Sequence, residues 1–418
     1  MTGARKRRSR EGRGLAGLFL LALLAASAHL LSAGNAADRK IATDARVVGD
    51  ESRTRFVADL SERLEIAVFT MADPYRVIVD LPNVEFNLPH GVGATGRGLV
   101  SAFRYGQIAP GKSRIVLDAT GPVAVNKSFV IPPANGQPAR LVVDLAPSSR
   151  DRFLEIARQQ RRVETASPVT PRTDRLDGTR QDRGLIRIVL DPGHGGIDSG
   201  AVGTSGTLEK SLVLEYARRF ADALRATGRY EVIMTREDDS FIPLRKRVEF
   251  ARAHQADLFL SVHANSYSGG VEVKGATVYT LSERASDRVA AAVAASENRA
   301  DILAGMDIPE EDSDQVKDIL LDLTRRETKN FGIVFAKTLI TELRERGIKL
   351  TSDPRKEASF MVLEAPDVPS ALIELGYLSS AQEESLMKSA EWQKKTADAM
   401  VGAVDSYFRT RLARGAGQ

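Results

Sequence analysis

Two histidines and two glutamates stand where a fold could gather them. They are His194 in Leu190-Asp191-Pro192-Gly193-His194-Gly195-Gly196, Glu209 in Thr207-Leu208-Glu209-Lys210, His263 in Leu260-Ser261-Val262-His263-Ala264-Asn265, and Glu374 in Leu372-Ile373-Glu374-Leu375-Gly376. Imidazole nitrogen and carboxylate oxygen are both ligands of Zn²⁺, and a catalytic zinc keeps three protein ligands and one open position. His-Glu-His with a spare glutamate is therefore a metallohydrolase constellation, provided the four residues meet. The chain has no cysteine, which excludes thiolate zinc sites and cysteine nucleophiles. It also has neither a Gly-x-x-x-x-Gly-Lys-Ser/Thr loop nor a His-Glu-x-x-His pair. Nucleotide hydrolysis on such a loop and the helix-borne metalloprotease plan are unsupported.

The elements that must position these residues follow from periodicity. From residue 185 onward, strands alternate with helices. Residues 185–191, 230–235, 258–263, 276–281 and 371–374 read as strands, with another near 360–364. Residues 209–226, 244–254, 382–386 and 391–412 read as helices, and helices fill much of 283–347. This pattern predicts an α/β domain: a single twisted sheet with helices on both faces. Active groups in such sheets lie beyond the carboxyl ends of the strands, where His194, His263 and Glu374 all fall. Each residue taken alone has a plainer reading. A histidine after a strand is usually structural, a glutamate opening a helix suits the helix dipole, and a strand-terminal glutamate can face solvent. Asp198 reads as ordering the glycine loop, Ser261 and Asn265 as supports behind the ligands, and His29, His90 and His254 carry no motif.

Taken in order, Asp-Pro-Gly-His-Gly-Gly, Glu-Lys at a helix start, Ser-Val-His-Ala-Asn and Glu-Leu-Gly-Tyr-Leu-Ser resemble the zinc-dependent N-acetylmuramoyl-L-alanine amidases over about residues 185–410. That resemblance implies one Zn²⁺ per chain held by His194, Glu209 and His263, with Glu374 as general base and then acid. It also implies hydrolysis of the amide between N-acetylmuramic acid and L-alanine in peptidoglycan; spacing alone says only zinc hydrolase. Ser379-Ser380 stands where the family often has Ser-Asn, and Ala251-Arg252 where Ala-Asn is common. The rival readings are a zinc peptidase cutting within the stem peptide and a non-catalytic peptidoglycan-binding division protein. The division enzymes of the family carry a helical insertion that blocks the site until an activator protein displaces it. Here the stretch from about 283 to 330 is longer than a compact crossover needs. Glu297 is its candidate fourth ligand, against the alternative of a surface glutamate on an ordinary crossover helix. Glu310 and Glu311 are weaker candidates, and Leu320, Leu321 and Leu323 are candidates for activator docking.

Residues 40–147 alternate with period two, as strands do. The words Arg55…Asp59 and Arg76…Asp80 recur as Arg114…Asp118 and Arg140…Asp144. A repeat of strands suggests two similar sheets in an all-β sandwich. The region resembles the AMIN domain, a peptidoglycan-targeting module, so it precedes the α/β domain as a wall-binding unit. Residues 148–184 read as a linker, with a short helix over 152–162. Residues 1–36 read as a signal peptide: a basic start, an apolar run over 15–31, then small residues. An uncleaved anchor is the alternative. Six basic residues against Glu11 in this segment account for more than the whole net charge of +4, so no nucleic-acid partner is expected. The expected location is the periplasm, with no stable membrane span after processing and separation of daughter cells as the role.

Overall fold

The recurring Arg-x-x-x-Asp word explains how the first domain pairs its strands. In an antiparallel pair two such words run head to tail, so each arginine meets the other strand's aspartate. In the computed structural model, which describes residues 40–89, 91–109, 111–164, 185–266, 273–306 and 319–415, this occurs twice. Strand β2 (Thr54–Leu60) pairs with β9 (Ala139–Pro147), placing Arg55 opposite Asp144 and Asp59 opposite Arg140. Strand β4 (Arg76–Pro82) pairs with β7 (Lys112–Ala119), placing Arg76 opposite Asp118 and Asp80 opposite Arg114. The Arg55–Asp144 and Arg114–Asp80 pairs are both two-pronged, with shortest contacts of 2.6 and 2.5 Å.

One sheet has the order β5-β1-β2-β9-β8 and the other β3-β4-β7-β6, where β1 is Lys40–Gly49, β3 Ala67–Met71, β5 Val84–Phe86, β6 Val100–Ala109 and β8 Val123–Ile131. The sandwich is as expected, but the repeat does not give one sheet per half. Each sheet takes strands from both halves, because the charge-matched partners lie in opposite halves. Val77, Val79, Ile115, Leu117, Leu141 and Val143 fill the space between the sheets. Helix α1 (Arg150–Glu164) closes one end with buried Phe153 set edge-on against Tyr75.

The second domain is built on a six-stranded sheet in the order β11-β10-β12-β15-β13-β14. Its strands are β10 (Ile186–Pro192), β11 (Tyr230–Met234), β12 (Leu258–His263), β13 (Ala276–Leu281), β14 (Leu350–Ala358) and β15 (Ser370–Glu374). Strands β10, β11, β12 and β15 are parallel, and β13 joins β15 antiparallel. Period-two alternation sorts the side chains. Ile188, Leu190, Leu258, Leu260 and Ile373 face α2 (Glu209–Ala226), α6 (Ile319–Glu345) and α8 (Ala390–Gly415). Val189, Phe259 and Leu372 face α3 (Leu244–Ala253) and α4 (Arg288–Glu297). The same alternation turns His263 and Glu374 toward the second face, and the two are direct neighbours across β12 and β15.

The remaining helices are α5 (Ala300–Leu303) and α7 (Ala381–Met387). The strand expected near 360–364 is instead a 3₁₀ turn, Met361–Leu363, and the strand is β14 before it. Strand β14 lies at the sheet edge, paired only with β13, and carries Pro354 and four charged residues. An edge strand needs no apolar alternation and tolerates proline, so periodicity could not reveal it. The signal segment, the linker beyond residue 164, His29, His90, Glu310 and Glu311 lie outside the described residues. Leu320, Leu321 and Leu323 fall on α6, but their side chains also lie outside. No helix among the described residues is long and apolar enough to cross a membrane.

Candidate metal centre

His194 follows β10 in a turn where only glycines would sit comfortably. Its own φ is +61°, between Gly193 and Gly195, a costly conformation for a side-chain-bearing residue. Gly193 is needed for space as well. A Cβ there would lie 2.2 Å from Cε1 of His263, so the two imidazoles come together only because position 193 has no side chain. The rings meet edge to face, with Nε2 of His194 3.2 Å from Nδ1 of His263.

Glu209 reaches the same point from the first turn of α2. Its Oε1 lies 3.1 Å from His194 Nε2 and 3.2 Å from His263 Nδ1. Backbone N–H groups of Ala264 and Ala201 donate to its two oxygens at 2.8 Å each. Glu297 arrives from the opposite side, at the last residue of α4, with Oε2 3.3 Å from His194 Nε2 and 3.1 Å from His263 Nδ1. All four side chains are buried. Five of the six donor separations lie between 3.1 and 3.3 Å. Four donors placed tetrahedrally at about 2.0–2.1 Å from a zinc ion would be roughly 3.3–3.4 Å apart. Each trio of donors that includes both imidazoles comes close to this spacing, and His194, His263 and Glu297 lie close enough together to hold a metal ion.

The outer partners fix which nitrogen of each ring is free. Nδ1 of His194 is 2.7 Å from Asp198 Oδ2, so a proton there leaves Nε2 as the donor atom. Nε2 of His263 is 3.1 Å from Ser261 Oγ, and Ser261 donates in turn to Asp191 at 2.7 Å. The serine must then accept from His263, which leaves Nδ1 free. Asp191 is fully buried and is held by Arg247 at 2.8 Å and Thr235 at 2.6 Å. Arg247 also donates to the carbonyls of Pro192 and His194. With these tautomers, two nitrogen lone pairs and two carboxylates face one another, an arrangement that needs a cation.

The electrostatics agree. Burial works against a charged imidazolium at His194, but Asp198, Glu209 and Glu297 outweigh it and hold its pKa well above the ordinary value. At His263 burial is likewise outweighed, by Glu297 and Glu209, and the pKa is pushed up to about 10. Burial would raise Glu209, yet the two histidines hold it well below the usual carboxylate range. A field that favours positive charge so strongly at two nitrogens would equally favour a divalent cation between them.

Glu374 stands just outside this cluster. The backbone N–H of Asn265 donates to one of its oxygens at 2.9 Å, and the Asn265 side-chain amide lies 3.3 Å from the other. The same amide also reaches Glu297 at 3.2 Å. Burial pushes the Glu374 carboxyl up to about 8; His263 opposes, and Glu297 and Glu209 reinforce.

The structure therefore brings together His194, Glu209, His263 and Glu297, sets Glu374 beside them, and places Ser261 and Asn265 in contact with the group. Asp198 does order the glycine loop, accepting from Gly200 N–H at 3.1 Å, but it also orients His194. The sequence reading missed that, together with Asp191, Thr235 and Arg247. Asp191 sits inside the motif itself, and a charged residue ending a buried strand was the available signal. The His254 ring bonds locally, through Nδ1 to the Phe250 carbonyl at 2.8 Å.

Comparison with known proteins adds an independent line. Residues 188–406 match the N-acetylmuramoyl-L-alanine amidase family and residues 44–145 match the AMIN domain. Among curated relatives, N-acetylmuramoyl-L-alanine amidase AmiC of Escherichia coli is 32% identical over 87% of this chain and 88% of its own length. The protein of the same name from Neisseria meningitidis is 33% identical over 88% of this chain and 90% of its own. Among solved structures, the catalytic domain of CwlV, an N-acetylmuramoyl-L-alanine amidase from Paenibacillus polymyxa, aligns at 27% identity over 54% of this chain and 99% of that one, with a TM-score of 0.39.

Proposed function

This chain belongs to the N-acetylmuramoyl-L-alanine amidase family, and on that premise we propose that it is a zinc enzyme in which His194, Glu209 and His263 hold the metal and Glu374 moves the proton. Its reaction is hydrolysis of the amide between N-acetylmuramic acid and L-alanine in peptidoglycan. The observation that carries the zinc reading is the buried cluster in which Glu209 and Glu297 each lie within 3.3 Å of both His194 and His263.

A bound zinc ion supplies Lewis acidity to the scissile carbonyl and to the attacking water. Glu374 accepts the proton that the water loses and returns it to the departing alanine nitrogen. Water oxygen joins the lactyl carbonyl carbon, the C–N bond breaks, and the products are a lactyl carboxylate and a free amine. A buried carboxyl with a raised pKa suits a group that must hold a proton between these steps, and a nearby dication would draw that value back down. Asn265 positions Glu374 through both its backbone and its amide. Ser261 and Asp198 keep the imidazoles in the tautomers that point lone pairs at the metal.

Glu297 occupies the fourth donor position, where an open site is required for catalysis. We read it as an autoinhibitory plug on a regulatory insertion spanning about residues 283–330. An activator protein of the division apparatus, docking on the insertion, would withdraw it. The β-sandwich serves as the wall-binding module, and the enzyme acts in the periplasm on septal peptidoglycan.

The test is digestion of purified peptidoglycan by the full-length mature protein, with and without a metal chelator, followed by mass analysis. The expected products are glycan strands ending in lactyl carboxylate and stem peptides with free N-terminal alanine, abolished by chelator. Cleavage inside the stem peptide would make the protein a zinc peptidase. No turnover of any substrate, with zinc bound and Glu297 replaced, would leave only a wall-binding role.

A further inference from the structure

The outer face of the β3-β4-β7-β6 sheet touches two of the segments that build the metal site, the His194 loop and the stretch after Glu297. We propose that this face is an interaction surface for the chain's own Glu297-bearing segment, and that the β-sandwich clamps the plug closed. The inference rests on the plug reading of Glu297.

Val77 and Val79 of β4 point into the sandwich, but Ile78 points the other way, with Val116 of β7. These two, with Met71 and Ile108, pack in the cluster that holds Ala300, Ala304 and Met306 of the α/β domain. Gly305, at φ +68°, closes the turn after α5, and a Cβ there would lie 2.7 Å from Ile78 Cδ1. The polar contacts are directional. Arg114 donates to the Gly305 carbonyl at 2.6 Å and the Ala304 carbonyl at 3.2 Å, while Asp80 holds its other edge. Arg76 donates to the carbonyl of Ile302. These carbonyls end α5, and cations are favoured at a helix C-terminus. Both guanidinium groups are buried, so neither bond competes with bulk water.

Only Asn298 and Arg299 separate α5 from Glu297, so withdrawal of the carboxylate must move this turn or bend the chain directly before it. The same sheet also grips the other side of the centre. Ile197 N–H donates to the Gln107 carbonyl of β6 at 3.3 Å, and at Gly196 a Cβ would meet that carbonyl at 2.0 Å. One rigid sheet thus spans the His194 loop and the Glu297 segment and holds them in register. The α/β domain contributes to the grip through Asp301, which accepts from Leu244 N–H, and Asn298, which bonds Ser359 and Met361. Loosening the sheet should therefore shift the plugged population rather than abolish it.

The experiment uses the full chain in four forms: wild type, Glu297→Ala, Arg114→Ala with Asp80→Ala, and the triple combination. Removing both members of the Arg114–Asp80 pair avoids leaving a buried charge alone. Gly305→Ala, which attacks the contact from the other side, guards against misfolding of the sandwich. Two quantities are read: basal peptidoglycan hydrolysis without activator at matched zinc content, and amide hydrogen exchange across residues 288–306 in chelator-treated protein. The double variant should raise hydrolysis at least about tenfold, the least expected from losing a hydrogen bond to a charged group; Gly305→Ala should raise it in the same direction, and both should speed exchange in 288–306. The triple variant should hydrolyse no faster than Glu297→Ala. Unchanged exchange in both clamp variants would overturn the clamp whatever Glu297 does. Faster exchange without faster hydrolysis, while Glu297→Ala is activated, would overturn its link to the plug. Failure of Glu297→Ala itself to raise hydrolysis would overturn the plug reading on which the coupling depends.

Discussion

Replacing Asp198 should weaken zinc binding without unfolding the protein. Its carboxylate sits 2.7 Å from Nδ1 of His194, with both side chains more than nine-tenths buried. It locks the tautomer that frees Nε2 and makes that nitrogen more basic. Partners of this kind behind a metal histidine are typically worth about 10–100-fold in metal affinity, or roughly 1.4–2.7 kcal/mol. Asp198→Ala should fall at the upper end, since it also strips Gly200 N–H of its acceptor. Asp198→Asn, whose amide oxygen can still accept from Nδ1, should fall near the lower end. A second effect has the opposite sign. Against burial, Asp198 is the leading charge that raises the His194 pKa, and a proton on Nε2 competes with the metal. Wild-type affinity should therefore decline as pH falls through that raised pKa. Without Asp198 the decline begins at lower pH, so the deficit of the variant narrows in acid. Competitive titration with a chromophoric chelator across pH measures both. Equal affinities for wild type and Asp198→Ala at every pH would refute the orienting role.

Glu374→Gln should retain zinc and lose at least about 100-fold in turnover, because it removes a general base and leaves the ligands intact; stoichiometric loss of metal would instead make Glu374 a ligand. Gly193→Ala should push the His263 ring off its position, since the added Cβ would lie 2.2 Å from it. A displacement of this size costs roughly 100-fold in rate, and unchanged kcat would show that the ring can yield. Arg247→Ala leaves the buried Asp191 carboxylate without its cation, a loss of about 3–5 kcal/mol on urea unfolding. Burial alone would raise Asp191, but Arg247, Thr235 and Ser261 together hold its pKa below the usual range. That contribution is present above the unfolded pKa and lost as pH falls through the depressed one, so wild type and variant should converge only in strong acid.

What could be read from the sequence was whatever local pattern determines. Helix α2 begins and ends where its apolar spacing does, at Glu209 and Ala226. Strands β12 and β13 keep their expected bounds because both are buried along nearly their whole length. The apolar runs of β12 and β15 brought His263 and Glu374 to the sheet's carboxyl edge, and the glycines brought His194 there. Three things were hidden. Strand β14 lacks alternation because it is an exposed edge. Asp191 and Arg247 are 56 residues apart, and only the folded sheet shows that they pair. The docking of Arg76 and Arg114 on Ile302 and Gly305 joins residues about 200 positions apart, and nothing in local composition marks a strand's outward face as an interface.

The centre itself is tested most directly by zinc K-edge X-ray absorption on the resting, full-length protein. The account predicts a single zinc with four nitrogen and oxygen neighbours at about 2.0–2.2 Å, two of them giving the multiple-scattering signature of imidazole, and loss of one oxygen donor from the protein in Glu297→Ala. A six-coordinate, water-rich shell, or a site with fewer than two imidazoles, would contradict it.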